Sequence, residues 1–176
     1  KNVNCNSTRL GFIKILKKIN ANIKIVNLKK KYGEPFGNII VKSSNLRPIN
    51  CPKKLVPLAI DEFPLLFVIA SIIKGVSKFS GIGELRHKES DRIKTMEAGL
   101  NQIGIKTKST KDSLKIYGNP NIKTKKKLNI FSNGDHRIAM SWTILGLLLG
   151  AKLKINNFET VNTSFPNFIK LIKVIG

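Results

Sequence analysis

Two segments of this chain, DEFPLLFVIASIIK at 61–74 and DHRIAMSWTILGLLL at 135–149, are apolar nearly all round at helical spacing. A surface helix shows one apolar stripe, whereas a helix apolar on every side must be covered on every side. Two such helices demand layers of other elements around them, which points to an α/β architecture with helices inside. Each segment is followed by a glycine, Gly75 or Gly150, and then by a strand-like run, VSKFSGI at 76–82 or AKLKINNF at 151–158. An amphipathic helix comes next in both cases. One covers about 88–102, with Ile93, Met96, Leu100 and Ile103 as a single stripe and Gly104 after it; the other is FPNFIKLIKVI at 165–175, closed by Gly176. The offsets agree: 74 residues from Asp61 to Asp135, 75 from Gly75 to Gly150 and 72 from Gly104 to Gly176. A truncated third copy fits 8–42, with a helix at 8–20 and strands at 23–27 and 38–42. A strand pair at 105–108 and 113–117 turns about Lys111 and Asp112. The pattern reads as repeated α/β units round shared inner helices. No linker interrupts it, and 123–127 reads as a solvated lysine loop.

The 176 residues suffice for one domain with a real core. With 41% apolar residues the chain is no disordered basic tail. Its formal charge of +22, from 32 basic and 10 acidic residues, invites a polyanion-binding reading. Only five of the basic residues are Arg (9, 47, 86, 92 and 137), however, and aromatics make up 7% of the chain. Nucleic-acid surfaces favour guanidinium forks and stacking rings, so the lysine excess reads as compositional bias, with a polyanion-binding module as the alternative. Cys5 and Cys51 form neither a metal-ligand pattern nor a disulfide framework, which fits a reduced, cytoplasmic setting without a metal. The longest apolar runs fall short of the ~20 residues that cross a bilayer. The opening at Lys1, inside a repeat unit, reads as that of a fragment.

In so basic a chain the rare residues carry the information. Three of the five Arg and both His fall in ELRHKESDRI (84–93) or in Asp135-His136-Arg137. If 88 lies in the first helical turn, Lys88, Glu89 and Arg92 reach a common region. A carboxyl at the head of an apolar stripe beside two cations is pulled between desolvation and charge attraction, a balance that suits proton transfer. An ordinary exposed ion pair at a helix start has the same spacing. Asp135 is a natural N-cap, and a guanidinium at 137, in the first turn of a buried helix, requires an anion or carbonyl partners. Asp61 opens the other buried helix.

These strings, with IDEFP (60–64), GDHRIAM (134–140), TSFPNF (163–168), NSTRLGF (6–12) and GEPFG (33–37), resemble the 5-enolpyruvylshikimate-3-phosphate (EPSP) synthase family over essentially the whole chain. The resemblance implies two similar domains, each of three βαβαββ units round buried helices, with the active site between them. The chain is then most of a C-terminal enolpyruvyl transferase-like domain, 1–176, incomplete and lacking its N-terminal partner domain. It further implies transfer of the enolpyruvyl group of phosphoenolpyruvate to the 5-hydroxyl of shikimate 3-phosphate, with release of phosphate and no metal or organic cofactor. Asp61 matches the acid beside the shikimate hydroxyls, a candidate base. Glu89 matches the acid that moves protons at the enolpyruvyl carbon, and Lys88 the lysine between the substrates. Arg92 and Arg137 match arginines that hold phosphoenolpyruvate. Thr163 stands where some members carry a phosphate-binding lysine, so that contact is expected to differ. The complete protein is expected to be a monomer with no specific nucleic acid or membrane partner, and the fragment alone to be inactive.

Overall fold

Along the chain the elements run β1 (Val3–Asn4), α1 (Gly11–Lys18), β2 (Asn22–Lys31), β3 (Glu34–Lys42), α2 (Phe63–Ile72), β4 (Gly75–Ser80), α3 (Arg92–Gln102), β5 (Thr107–Thr110), β6 (Ser113–Gly118), β7 (Lys127–Phe131), α4 (His136–Leu149), β8 (Lys152–Asn156), α5 (Val161–Ser164) and α6 (Phe168–Ile175). They are those of a computed structural model that describes residues 1–123 and 127–175. Residues 124–126 of the expected lysine loop, and Gly176, lie outside the described residues.

The second unit is βαβαββ once the parallel bridge of Asn50 to Lys78 is taken as its first strand. Lys78 N–H donates to Ile49 O at 2.6 Å and Cys51 N–H to Lys78 O at 3.0 Å, so the chain runs parallel to β4 before crossing over through α2. After α3, the β5–β6 hairpin returns and β6 inserts between its neighbours, in the antiparallel order β4-β6-β5. The first unit has the same order, β1-β3-β2, with α1 in the place of α3. The third begins like the second: β7 and β8 pair in parallel across α4, and α5 and α6 follow. The first segment thus matches the later elements of the second unit, and the last segment its earlier elements. The repeat expected from sequence recurs in the order of the elements, its last glycine marker, Gly176, lying outside the described residues.

Why each helix sits where it does follows from its composition. In α2, Phe63, Leu66, Phe67, Val68 and Ala70 have no exposed surface. Phe63, Phe67 and Phe79 of β4 meet edge to face with centroids 4.9–5.9 Å apart. The stripe of α3 (Ile93, Met96, Leu100) is equally buried, and Trp142 of α4 packs on Gly99. Helix α4 ends as expected at Gly150, whose left-handed φ of +59° suits a residue without a Cβ.

Three expectations need correction. The first buried helix does not run over 61–74: Pro57–Glu62 is a 3₁₀ turn kinked at Ala59, and α2 starts at Phe63 with Pro64 in its first turn, where a proline is tolerated. Helix α3 starts at Arg92, not near 88, because Asp91 caps it. Helix α4 is not covered on every side, since Leu147 and Leu148 are 49% and 58% exposed. An apolar groove of about 520 Å³, lined by Gly146, Leu147, Leu153, Ile155 and Ile169 among others, opens beside it. In the second unit β6 lies against the inner helix: Asn119 N–H, just beyond it, donates to Ser71 O of α2 at 2.8 Å. The third unit has no such hairpin among the described residues. Strand β7 (KLNIF) went unread, although Leu128 and Ile130 alternate inward.

Candidate active site

Between β4 and α3 the chain needs a turn that reverses its direction, and 81–91 supplies it. Asp112, at the tip of the β5–β6 hairpin, accepts from Gly83 N–H at 2.7 Å and Gly81 N–H at 3.1 Å. A 3₁₀ turn, Gly83–His87, follows, and Lys88 is extended (φ −90°, ψ −161°). Asp91 then accepts from Lys94 N–H at 2.9 Å and starts α3. Lys88 and Glu89 therefore share no helical face with Arg92. Lys88 pairs instead with Glu84, while Glu89 turns the other way, its Oε2 2.5 Å from Arg92 Nη2.

Arg92 has no exposed side-chain surface and meets carboxylates from three segments. Nε donates to Asp135 at 2.8 Å, Nη1 to Asp61 at 3.3 Å and Nη2 to Glu89. A buried guanidinium requires such partners, since an unpaired charge there would be prohibitive. Asp135 is itself buried. One of its oxygens accepts from Arg92 and, at 3.2 Å, from the Ser90 hydroxyl; the other accepts from the N–H groups of Arg137 (2.9 Å) and Ile138 (3.3 Å), capping α4. One carboxylate thus ties the ESDR segment to the first turn of the Asp-His-Arg helix.

Arg137, with 32% of its side chain exposed, finds the anion and carbonyl partners expected of it. Nη2 lies 3.3 Å from Asp61 Oδ2 and Nη1 3.7 Å from Glu62 Oε1, while Nη1 also donates to Asp61 O at 3.4 Å. Asp61 bridges both guanidiniums. Burial pushes the Glu62 carboxyl above its ordinary value, an effect opposed by Arg137 and reinforced by Asp61. Thr8 and Arg9 line a cleft of about 440 Å³ together with Asp61 and Glu62.

The four residues Asp61, Glu89, Arg92 and Arg137, singled out from sequence, are thus joined in one network. Lys88 enters through its loop, without a hydrogen bond or ion pair to them among the described residues. Thr163 lies apart on α5, its hydroxyl donating to Thr160 O at 2.7 Å. Chemically the cluster offers two partly exposed carboxylates, Asp61 and Glu89 (33% and 50%), oriented by a buried cation, with a second, looser guanidinium beside them. That is equipment for moving protons next to a bound anion. Sequence reasoning missed Glu62, Ser90, Asp91 and the contact of Asp135 with Arg92. An Asp just ahead of an apolar period is an N-cap signal and was available for Asp91.

The family model described as EPSP synthase (3-phosphoshikimate 1-carboxyvinyltransferase) matches residues 1–172. A curated 3-phosphoshikimate 1-carboxyvinyltransferase of Halorhodospira halophila is 39% identical over all of this chain and 39% of its own length. One of Vesicomyosocius okutanii is 44% identical over 99% of this chain and 40% of its own length. The solved structure of EPSP synthase from Acinetobacter baumannii superposes with a TM-score of 0.91 at 41% identity, over 99% of this chain and 40% of that one. The enolpyruvyl transferase NikO of Streptomyces tendae (TM-score 0.55, 13% identity, 94% of this chain and 35% of that one) shares the fold. The chain spans about 40% of the length of the curated relatives it matches. On this match in sequence and in fold, the chain belongs to the EPSP synthase family.

Proposed function

We propose that this chain forms part of an enzyme that transfers the enolpyruvyl group of phosphoenolpyruvate to the 5-hydroxyl of shikimate 3-phosphate, releasing phosphate. The observation that carries the reading is the meeting of three separate motif segments on one buried guanidinium, Arg92. The reaction removes a proton from a hydroxyl, adds one to a methylene carbon and takes one back as phosphate leaves, while several anionic groups are held together. Asp61 is the candidate base for the hydroxyl, and Glu89 the group that exchanges the proton at the enolpyruvyl carbon. Lys88, partly buried and paired with Glu84, is the candidate to lie between the substrates.

Arg137 is the guanidinium suited to take phosphoenolpyruvate directly. It is partly exposed, and its contacts of 3.3–3.7 Å to Asp61 and Glu62 are loose enough to be exchanged for a substrate anion. Arg92, matched in sequence to an arginine that holds phosphoenolpyruvate, has no exposed side-chain surface, and its share in binding would pass through Asp61 and Glu89, which it holds in place. Thr163, standing where some members carry a lysine, would reach phosphate only by giving up its hydrogen bond to Thr160 O. The reading includes an N-terminal domain from the rest of the polypeptide, a monomeric whole, a cytoplasmic location, and no metal or organic cofactor. Among the described residues no helix is long and apolar enough to cross a membrane.

The test is phosphate release from phosphoenolpyruvate and shikimate 3-phosphate by the full-length protein containing this chain. Turnover is expected, with Glu89→Gln and Arg137→Ala each abolishing it and the 176-residue chain alone showing none. Full activity in either variant would overturn the site assignment.

A further inference from the structure

We infer that Arg86, which touches neither Glu89 nor the Arg92 cluster, is a positioning residue that sets where Lys88 and Glu89 stand; the inference rests on the proposed roles of those two residues. The segment 81–91 has no strand partner to define it, only a short 3₁₀ turn. Its shape comes from its anchors, and Arg86 is the anchor on the far side of Lys88 and Glu89 from α3. Its guanidinium points three ways at once. Nε donates to Lys111 O at 3.0 Å, Nη2 to Thr110 O at 2.6 Å and Nη1 to Asp91 Oδ2 at 2.8 Å.

The first two bonds fasten the segment to the tip of the β5–β6 hairpin, beside the two N–H groups that Asp112 holds. The third closes a ring from 86 to 91 in which Lys88 and Glu89 lie. Asp91 is shared: one oxygen takes Arg86 and the other caps α3 through Lys94 N–H. The hairpin tip, the 86–91 ring and the start of α3 are therefore one braced unit, and Arg92 is the first residue of that helix.

The chemistry of the side chain makes the assignment specific. A guanidinium can donate in three fixed directions in one plane, whereas a lysine ammonium on a flexible stem cannot reproduce the fork. With all three nitrogens donating to protein acceptors, Arg86 is not poised to bind substrate. Its effect on rate must pass through geometry, and misplacement by about 1 Å costs on the order of 10²-fold in a positioned reaction.

The experiment uses the full-length protein and two variants, Arg86→Ala and the milder Arg86→Lys. Hydrogen exchange of the amides of 84–91 is measured for each, together with kcat and the KM for phosphoenolpyruvate and for shikimate 3-phosphate. Both variants are expected to exchange at least tenfold faster over 84–91 while the amides of α2 keep their protection. The kcat of Arg86→Ala is expected to fall about 10- to 100-fold. The loss is expected to fall on kcat more than on the KM for either substrate, because Arg86 itself binds neither.

Unchanged exchange over 84–91 would overturn the inference, as would a loss confined to KM with kcat intact. If Arg86→Ala does not fold, Arg86→Lys is judged by the same exchange criterion. If the unsubstituted protein shows no enolpyruvyl transfer, the proposed function fails, and the bracing by Arg86 stands or falls on the exchange measurement alone.

Discussion

Asp135 is the residue whose removal the network should tolerate least. Asp135→Ala deletes the fully buried carboxylate that pairs with a fully buried guanidinium and, with it, the cap of α4. Breaking a buried ion pair by removing one partner costs about 3–5 kcal/mol. Loss of an N-cap costs about 0.5–2 kcal/mol. The two costs overlap, because Arg92 keeps Asp61 and Glu89 as partners, so a total of about 4 kcal/mol is expected for Ala. Asp135→Asn keeps a side-chain oxygen for the cap but loses the charge and turns an amide NH2, which cannot accept, toward Arg92 Nε, for which about 2–3 kcal/mol is expected. The chain has a single tryptophan, Trp142, which is 1% exposed on α4 itself. Urea unfolding of the 176-residue chain followed by its fluorescence reads the helix that the cap starts. With a slope of about 2 kcal/mol per molar urea, the midpoint should fall by about 2 M for Ala and about 1 M for Asn. A shift under about 0.5 M for Ala, corresponding to about 1 kcal/mol, would refute the idea that Arg92 depends on this carboxylate. Equal losses for Ala and Asn would refute the separate contribution of the cap.

Glu62 titrates with a raised carboxyl in the folded state, so the folded chain binds its proton more readily than the unfolded chain does. Its contribution to stability is therefore present below the ordinary carboxyl value of 4.5 and is lost as pH rises through the raised value; Glu62→Gln should flatten that part of the pH–stability curve, and an unchanged slope would count against it. Burial pushes the Cys51 thiol up to about 11, so at pH 8 roughly one molecule in 10³ carries the thiolate, and iodoacetamide should label Cys51 slowly until urea unfolds the chain. Labelling at the rate of a free thiol in the folded chain would contradict this. At Gly118 a Cβ would stand 2.1 Å from Ile73 O and 2.2 Å from Ala70 O, both backbone atoms that no rotamer change can move. Gly118→Ala should therefore destabilise by about 2 kcal/mol or more, and a urea midpoint equal to that of the parent would show that β6 does not press on α2 in this way.

Much of the fold was legible because burial leaves a periodic trace. The all-round apolar runs gave away α2 and α4 as inner helices, the stripe gave α3, and Gly150 marked an end that only a residue tolerant of φ +59° occupies easily. Helix starts were read less well at Phe63 and Arg92. The apolar pattern carries no mark of a 3₁₀ turn at Pro57–Glu62 or of an extended Lys88, whose loop is shaped by hydrogen bonds to the β5–β6 hairpin. The open side of α4 was invisible too: Leu147 and Leu148 look buried in sequence, and whether they are depends on which strands lie over them.

For the site, the sequence by itself determined its chemical inventory: a few carboxylates and guanidiniums, concentrated in three segments of a lysine-rich chain. Spacing along a chain can test only neighbours three or four residues apart on a helix, and there it grouped Lys88 and Glu89 with Arg92; the fold joins Glu89 to Arg92 but pairs Lys88 with Glu84. The tertiary structure decided the pairing. Asp61, Glu89 and Asp135, which stand 31, 3 and 43 residues from Arg92, meet it because α2, α3 and α4 pack with their first turns together. A buried charge has to find opposite charge wherever the packing places it, and the packing of those helices is set by apolar side chains elsewhere in the molecule.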